Sequence, residues 1–299
     1  VKIHIHVGVH KTATTYIQRR LKLSMKSLNA DGIGYLPVWR FRSSFWKEYM
    51  TLSPETFRIE DHLKDFFVNK PPSDVRGLII SEENLLGLCG NFVKTGRLFN
   101  GVRPRLAHFR KLLAGHEITL FFAVRSYDGF ICSAYCEGLR SNRNFVGFDD
   151  FHDRINWKLM NWPHLLKRVE DGLQPERTVI WRYEQFRDHS EEILNRLAFG
   201  NMLSPDETDG TNPVYMSFSQ LAMDTIDCVA KQMGGEIAGQ LVRPISDTFV
   251  KSEARPSFDP WTDQRKAWLA HRYQEDCGTI NSAKWLMPVG FPVLEQEVA

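Results

Sequence analysis

Short β-branched apolar runs, separated by helix-patterned stretches, are the feature that most limits how this chain can fold. Residues 2–7 (Lys-Ile-His-Ile-His-Val) alternate as a strand does, and Gly77–Ser81, Ile118–Val124 and Thr178–Tyr183 have the length and composition of further strands. At least one helical stretch lies between each strand and the next, beginning with Thr14–Leu28. Strands joined through helices pair in parallel, because a parallel connection needs a crossover long enough to hold a helix, and those helices cover the sheet. The pattern predicts an α/β fold of three layers, α/β/α, around a central and mainly parallel sheet.

The rest of the chain reads as helical. Residues 151–171 carry Trp157, Trp162 and Leu165 at helical spacing, with Pro163 expected to bend or split the segment. After Asn201 come a Pro/Gly/Asp-rich linker (Ser204–Pro213), a helix over Ser217–Met233, an irregular stretch, and a helix over Trp261–Cys277. There is no internal repeat and no low-complexity segment. One domain over 1–299 is therefore expected, with an α/β core over 1–200 and a mainly helical extension, packed on the same sheet, over 201–299.

Composition narrows the function classes. With 38 Lys+Arg against 36 Asp+Glu the formal net charge is +2, which argues against a global field for nucleic acid; any anion site must be local. The five cysteines include no CxxC pair and no zinc-ligand spacing, so a reducing, cytoplasmic location is expected. Cys132 and Cys136 lie one helical turn apart and read as packing residues. No run is long and apolar enough for a membrane span, and the apolar opening is too short and His-rich for a signal peptide.

The turn after the first strand, Gly8-Val9-His10-Lys11-Thr12-Ala13-Thr14-Thr15, runs into a helix, so its backbone N–H groups face an anion at a helix N-terminus. Set against the nucleotide-triphosphate loop GxxxxGK[ST], Gly8 aligns with the first Gly, but Ala13 takes the second Gly position and Thr14 the Lys position. Lys11 sits three residues earlier, at the loop's tip, where it meets one phosphate and a group attached to it. The threonines have a plainer use as well: Thr12 or Thr14 could simply cap the helix.

A second element changes the weight of the first. The strand Ile118–Val124 ends at Arg125, and Ser133 follows eight residues later on the next helix. A forked guanidinium and a hydroxyl so placed can converge on one phosphate. Together, His-Lys-Thr-Ala-Thr-Thr-Tyr (10–16) and the Arg125/Ser133 pair resemble the sulfotransferase family that uses 3′-phosphoadenosine 5′-phosphosulfate (PAPS), especially its bacterial carbohydrate and small-molecule members, whose fold is P-loop-like. The resemblance implies that Lys11, Thr12, Thr14 and Thr15, with His10, Ala13 and Tyr16 in the same loop, hold the 5′-phosphosulfate end. It implies that Arg125 and Ser133 hold the 3′-phosphate, and that Tyr183, in Ile180-Trp-Arg-Tyr-Glu184, lies beside the adenosine. Ala13 replaces a frequent Gly, and Tyr16 an adenine-stacking Trp. No Arg-Lys-Gly segment is present near the C-terminus, leaving Lys251, Arg255 and Arg243 as weak candidates for the outer wall of the 3′-phosphate site.

Sulfuryl transfer to a hydroxyl needs alignment, a base, and positive charge on the departing phosphate oxygen. Lys11 is the expected leaving-group stabiliser, and no metal is required. Glu82 and Glu83 close the strand Gly77–Ser81, on the edge where α/β sheets bind ligands, and only one of two extended neighbours can face the site. The resemblance favours Glu83, whose pKa would have to rise to serve as base; both glutamates could equally cap the next helix or sit in solvent, and His10 could pack the loop or shuttle a proton. The rivals are a nucleotide kinase, an inactive nucleotide- or glycan-binding protein, and a metal hydrolase built on His4 and His6, which would need a carboxylate and further histidines at strand ends, where His108, His116 and His152 do not fall. The acceptor is expected to be a hydroxyl compound, with carbohydrate favoured, met by residues 39–49 and 141–148; residues 39–49 could equally be a surface helix that uses its aromatics as core.

Overall fold

The computed structural model describes residues 1–45, 58–69, 71–206, 218–282 and 286–289. Strands β1 (Lys2–His6), β2 (Ile33–Leu36), β3 (Gly77–Ser81), β4 (Glu117–Val124), β5 (Arg177–Arg182) and β6 (Leu286–Val289) form one sheet in the order β2-β3-β1-β4-β5-β6. All neighbours are parallel, with Ile5 of β1 opposite both Ile80 and Leu120. The chain moves outward from β1 to β2, returns to β3, then crosses β1 to reach β4. That reversal puts the topological switch point at the carboxyl end of β1, where an open parallel sheet leaves a crevice for a ligand.

Residue alternation sends the strands' apolar side chains into two helical layers. Ile3, Ile5, Leu78, Ile80, Leu120, Phe122 and Val124 pack with helices α3 (Cys89–Thr95), α4 (Val102–Leu112), α5 (Tyr127–Ser141), α6 (Phe148–Arg154) and α7 (Trp162–Leu173). Ile79, Phe121, Ala123, Val179 and Trp181 pack against α1 (Thr14–Leu23) and α8 (Phe186–Leu197). Each buried Leu, Ile or Phe contributes about 1.5–3 kcal/mol, so a sheet covered on both faces tolerates nearly continuous apolar strands.

Several elements differ from expectation. The helix expected over Thr14–Leu28 breaks at Ser24, whose Oγ accepts from Ser204 N at 2.7 Å, and resumes as α2 (Met25–Ala30). Strand β2 was not predicted because it is short and contains Gly34; a Cβ there would lie 2.7 Å from that of Phe66, so close packing excludes the side chain that would have marked a strand. The segment over 151–171 is divided at residues 155–161, ahead of Pro163, which neither bends nor splits a helix. The proline falls in the first turn of α7, where a missing N–H costs nothing, and Asn161 caps that helix by accepting from His164 N.

In the C-terminal part, α9 (Gln220–Met233) and α11 (Asp263–Ser282) match expectation, but the stretch read as irregular is helix α10 (Gly235–Thr248), its periodicity masked by Pro244. Strand β6 adds an unexpected edge to the sheet. Residues 207–213 of the expected linker, and Ser217, lie outside the described residues. No described helix is long and apolar enough to cross a membrane.

Helix α11 stiffens the end of β4. Glu184 accepts from Tyr273 OH at 2.7 Å and from Ser126 N at 2.8 Å, Tyr127 OH bonds Asp276, and Trp162 Nε1 donates to Arg125 O at 2.8 Å. Arg125 thus projects from a backbone fixed on both sides.

Candidate functional site

The loop leaving β1 is built around one glycine and two strained residues. A Cβ on Gly8 would lie 2.7 Å from His6 Nε2 and 3.0–3.1 Å from the hydroxyls of Thr12 and Thr14, so only glycine lets these groups close over the strand end. Lys11 (φ 69°) and Ala13 (φ 64°) are left-handed, which costs about 1–2 kcal/mol each in a residue with a Cβ. Ala13 occupies the N-cap of α1 with no side-chain cap, and the Thr12 hydroxyl donates instead to Val9 O. Neither threonine caps α1, so the plainer reading of the loop does not hold. Thr14 Oγ1 is buried; it lies near enough to Glu83 to favour that anion, yet has no partner in hydrogen-bond geometry among the described residues. A loop left with open helix-end N–H groups, a lysine and an unspent hydroxyl is suited to an anion.

Arg125 ties this loop to the next strand. Its Nη1 donates to Lys11 O at 2.7 Å, and its guanidinium lies 4.5 Å from the centre of the Tyr183 ring. Ser133, on α5, is buried and faces the same space. One turn further along α5, Glu137 sits 3.5 Å from Lys11 Nζ and 3.4 Å from Arg140 Nη1.

The opposite wall carries the two glutamates, and their environments diverge. Glu82 is 0% exposed, takes a two-pronged ion pair from Arg42 with both contacts at 2.7 Å, and accepts from Asn84 N at 2.9 Å as the cap of a short 3-10 turn. Glu83 lies farther from Arg42, at 3.7 Å; burial raises its pKa, with Arg42 and Lys11 opposing. Beside it, His10 stacks on Phe99 with centroids 5.5 Å apart and contacts Asn84 Oδ1 through Nε2 at 3.2 Å. Its Nδ1 is buried without a partner among the described residues, and burial pushes its pKa down to about 4, so the ring is neutral at neutral pH.

These walls enclose a cavity of about 750 Å³ at the carboxyl end of β1. From the loop it takes His10, Lys11, Ala13, Thr14, Thr15 and Tyr16; across it stand Arg125, Ser133 and Tyr183, and Glu83 closes the third side. Thr12 and Glu82 do not line it: the first is spent on the loop backbone and the second on Arg42 and a cap. Lys251, Arg255 and Arg243 are also absent from the lining, and Arg243 donates to Arg140 O instead. In their place stands Arg19, paired with Asp206 at 3.1 Å.

Arg19 and Glu137 were within reach of sequence reasoning. Arg19 follows Tyr16 by three positions on α1, and Glu137 follows Ser133 by four on α5, so each shares a helix face with a predicted site residue. Arg42 and Asp206 carry no such signal. Of the aromatic segment 39–49, Arg42 reaches the cavity, Trp39 is exposed, and residues 46–49 lie outside the described residues; of 141–148, Ser141 lines the cavity.

His4 and His6 serve packing. His4 stacks on Phe199 at 3.6 Å and contacts Leu197 O through Nδ1; His6 contacts Ser81 Oγ at 2.8 Å and lies against Trp181. Burial lowers their pKa values to about 4 and about 3. Among the described residues no group of three His, Cys, Asp or Glu side chains is placed to hold a metal ion. No family model and no curated protein matches the chain.

Proposed function

We propose that this protein is a sulfotransferase that moves the sulfuryl group of PAPS onto an acceptor hydroxyl, releasing adenosine 3′,5′-bisphosphate. The observation that carries the reading is the convergence, on one cavity at the switch point, of the Lys11–Thr15 loop, the Arg125/Ser133 pair and Glu83. The donor set fits a nucleotide with phosphates at both ends. Lys11, Thr15 and the unspent Thr14 hydroxyl meet the 5′ end, Arg125 and Ser133 the 3′ end, and Tyr183 flanks the ring system. Arg125 also holds Lys11 O, so the two halves of the site are joined by one side chain.

PAPS supplies the activated sulfuryl group; the chain's residues position and polarise. Lys11 neutralises charge growing on the departing phosphate oxygen. Glu83, its pKa raised by burial, accepts the acceptor hydroxyl's proton, while Glu82 holds Arg42 and the turn that carries Glu83. His10, kept neutral, lies between Asn84 and Phe99 as a wall of the acceptor space.

Competition calorimetry, run in EDTA and repeated with excess magnesium, tests this reading against a nucleotide kinase. Adenosine 3′,5′-bisphosphate is expected to bind without metal and to be displaced poorly by ATP. Preference for magnesium-ATP would overturn the proposal.

A further inference from the structure

Packing explains most of the His6 ring but not all of it. The side chain is 0% exposed, one ring face lies against Trp181 with centroids 5.7 Å apart, and Nδ1 meets Ser81 Oγ, on its register partner in β3, at 2.8 Å. Nε2, on the opposite edge, is buried with no partner among the described residues. A fully buried ring nitrogen left without a partner is costly, so a group that uses it is expected close by.

That group is in the loop above. Nε2 lies 2.7 Å from the point where a Cβ on Gly8 would stand, and the hydroxyls of Thr12 and Thr14 lie 3.0 and 3.1 Å from the same point. Thr12 spends its proton on Val9 O, whereas Thr14 Oγ1 is, like Nε2, buried without a partner in hydrogen-bond geometry among the described residues. One hydrogen-bond link, direct or through a single water, spans two atoms placed in this way. Proton counting gives its direction. A hydroxyl has one proton to donate, and Thr14 needs it for an incoming anion, yet the same oxygen can accept from an Nε2–H. Burial keeps His6 neutral, with its pKa down to about 3, so a single nitrogen carries the proton; when Ser81 Oγ donates to Nδ1, that proton stands on Nε2.

Resting on the transfer reading above, we propose that His6 is a positioning residue for the anion loop: Ser81 sets its tautomer, and its Nε2–H holds and polarises the Thr14 hydroxyl so that the hydroxyl's own proton points at the 5′-phosphate end of the nucleotide. His6 touches no substrate and acts through Thr14 alone.

Calorimetry on His6→Phe, His6→Gln and Ser81→Ala tests this with three probes: adenosine 3′,5′-bisphosphate, 3′-AMP, which lacks the 5′-phosphate, and inorganic pyrophosphate, which has two linked anionic groups and no nucleoside. His6→Phe should weaken bisphosphate and pyrophosphate about tenfold and leave 3′-AMP unchanged, a split that a general loss of structure does not produce. His6→Gln, whose amide N–H reaches the Nε2 position, should restore most of the affinity, and Ser81→Ala, which frees the tautomer, should fall between. Should the Phe variant fail to fold, His6→Asn, which reaches only the Nδ1 position, carries the same expectation. Unchanged affinity for bisphosphate and pyrophosphate, an equal loss for 3′-AMP, or no rescue by Gln would overturn the inference. If the wild type binds pyrophosphate but not the bisphosphate, the nucleotide reading fails while the role of His6 is still decided: loss in the Phe variant with return in Gln upholds it, and no change overturns it. Failure of the wild type to bind either anion overturns both.

Discussion

The two walls of the cavity solve opposite electrostatic problems. Among the described residues, the β1 loop and the β4 end gather donors and leave some unspent: open N–H groups at α1, a buried Thr14 hydroxyl, and a guanidinium committed on only one of its nitrogens to Lys11 O. The β3 end gathers carboxylates and neutralises one of them, pairing Glu82 with Arg42 while Glu83 is left with a raised pKa. A wall with surplus donors is prepared for an anion that arrives from outside; a wall with one surplus, weakly acidic carboxyl is prepared for a proton. Neighbouring residues of one type can therefore have different duties, and packing decides which.

The contrast can be broken by substitution, and Lys11→Ala should have the largest effect. Turnover is expected to fall about 10³-fold with little change in melting temperature, because the lost charge acts on the leaving oxygen. Near-normal turnover would remove Lys11 from its role. On the facing wall, Glu83→Gln should cut kcat about 10²-fold with bisphosphate affinity preserved. Wild-type kcat should rise with pH as Glu83 ionises, above the usual carboxylate range, and that limb should vanish in the variant. If Glu82→Gln instead produces the kinetic loss, the assignment of the two carboxylates is reversed. Glu82→Gln is expected to act on stability, costing about 1–3 kcal/mol in denaturant unfolding, since it weakens the Arg42 pair and the cap while leaving the base in place.

Acid should separate the walls further. His6 and His10 have pKa values pushed below the free value of 6.5, so folded molecules bind fewer protons than unfolded ones between about 4 and 6.5. Their contribution to stability is complete above that window and is lost as pH falls, at about 1.4 kcal/mol per pH unit for each ring in mid-window. Glu83 has the opposite sign: its raised pKa favours the folded state at low pH, and that help fades as pH rises through the folded value. Denaturant midpoints at pH 7 and 5 should therefore drop for the wild type and drop less for His6→Gln. The smallest effect sharpens the loop itself: Ala13→Gly should raise stability by about 0.5–1 kcal/mol, the relief of a left-handed alanine less the entropy of glycine. A lower melting temperature would show that the loop is not strained there.

What the sequence made legible was whatever depends on local order. β1, β3, β4 and β5 alternate or run apolar because both their faces are buried, and the Gly8–Thr15 turn is written in consecutive residues. Pairings across the fold were not legible. Arg42 reaches Glu82 over 40 positions, and Arg19 meets Asp206 from a segment with no periodic signal. Thr12 reads like Thr14 in one dimension; only the left-handed turns at Lys11 and Ala13 direct one hydroxyl to Val9 O and leave the other unspent. β2 and α10 escaped because Gly34 and Pro244 interrupt the patterns that mark a strand and a helix.

The account stands on a single nucleotide spanning both halves of the donor-rich wall. The most direct test is calorimetric affinity for adenosine 3′,5′-bisphosphate and for 5′-AMP, measured side by side on the wild type and on Ser133→Ala/Arg125→Lys. The wild type should prefer the bisphosphate by about a hundredfold, as expected for a few charge-assisted hydrogen bonds to the 3′-phosphate, and the variant should lose most of that preference. Equal affinity of the wild type for both nucleotides would contradict it.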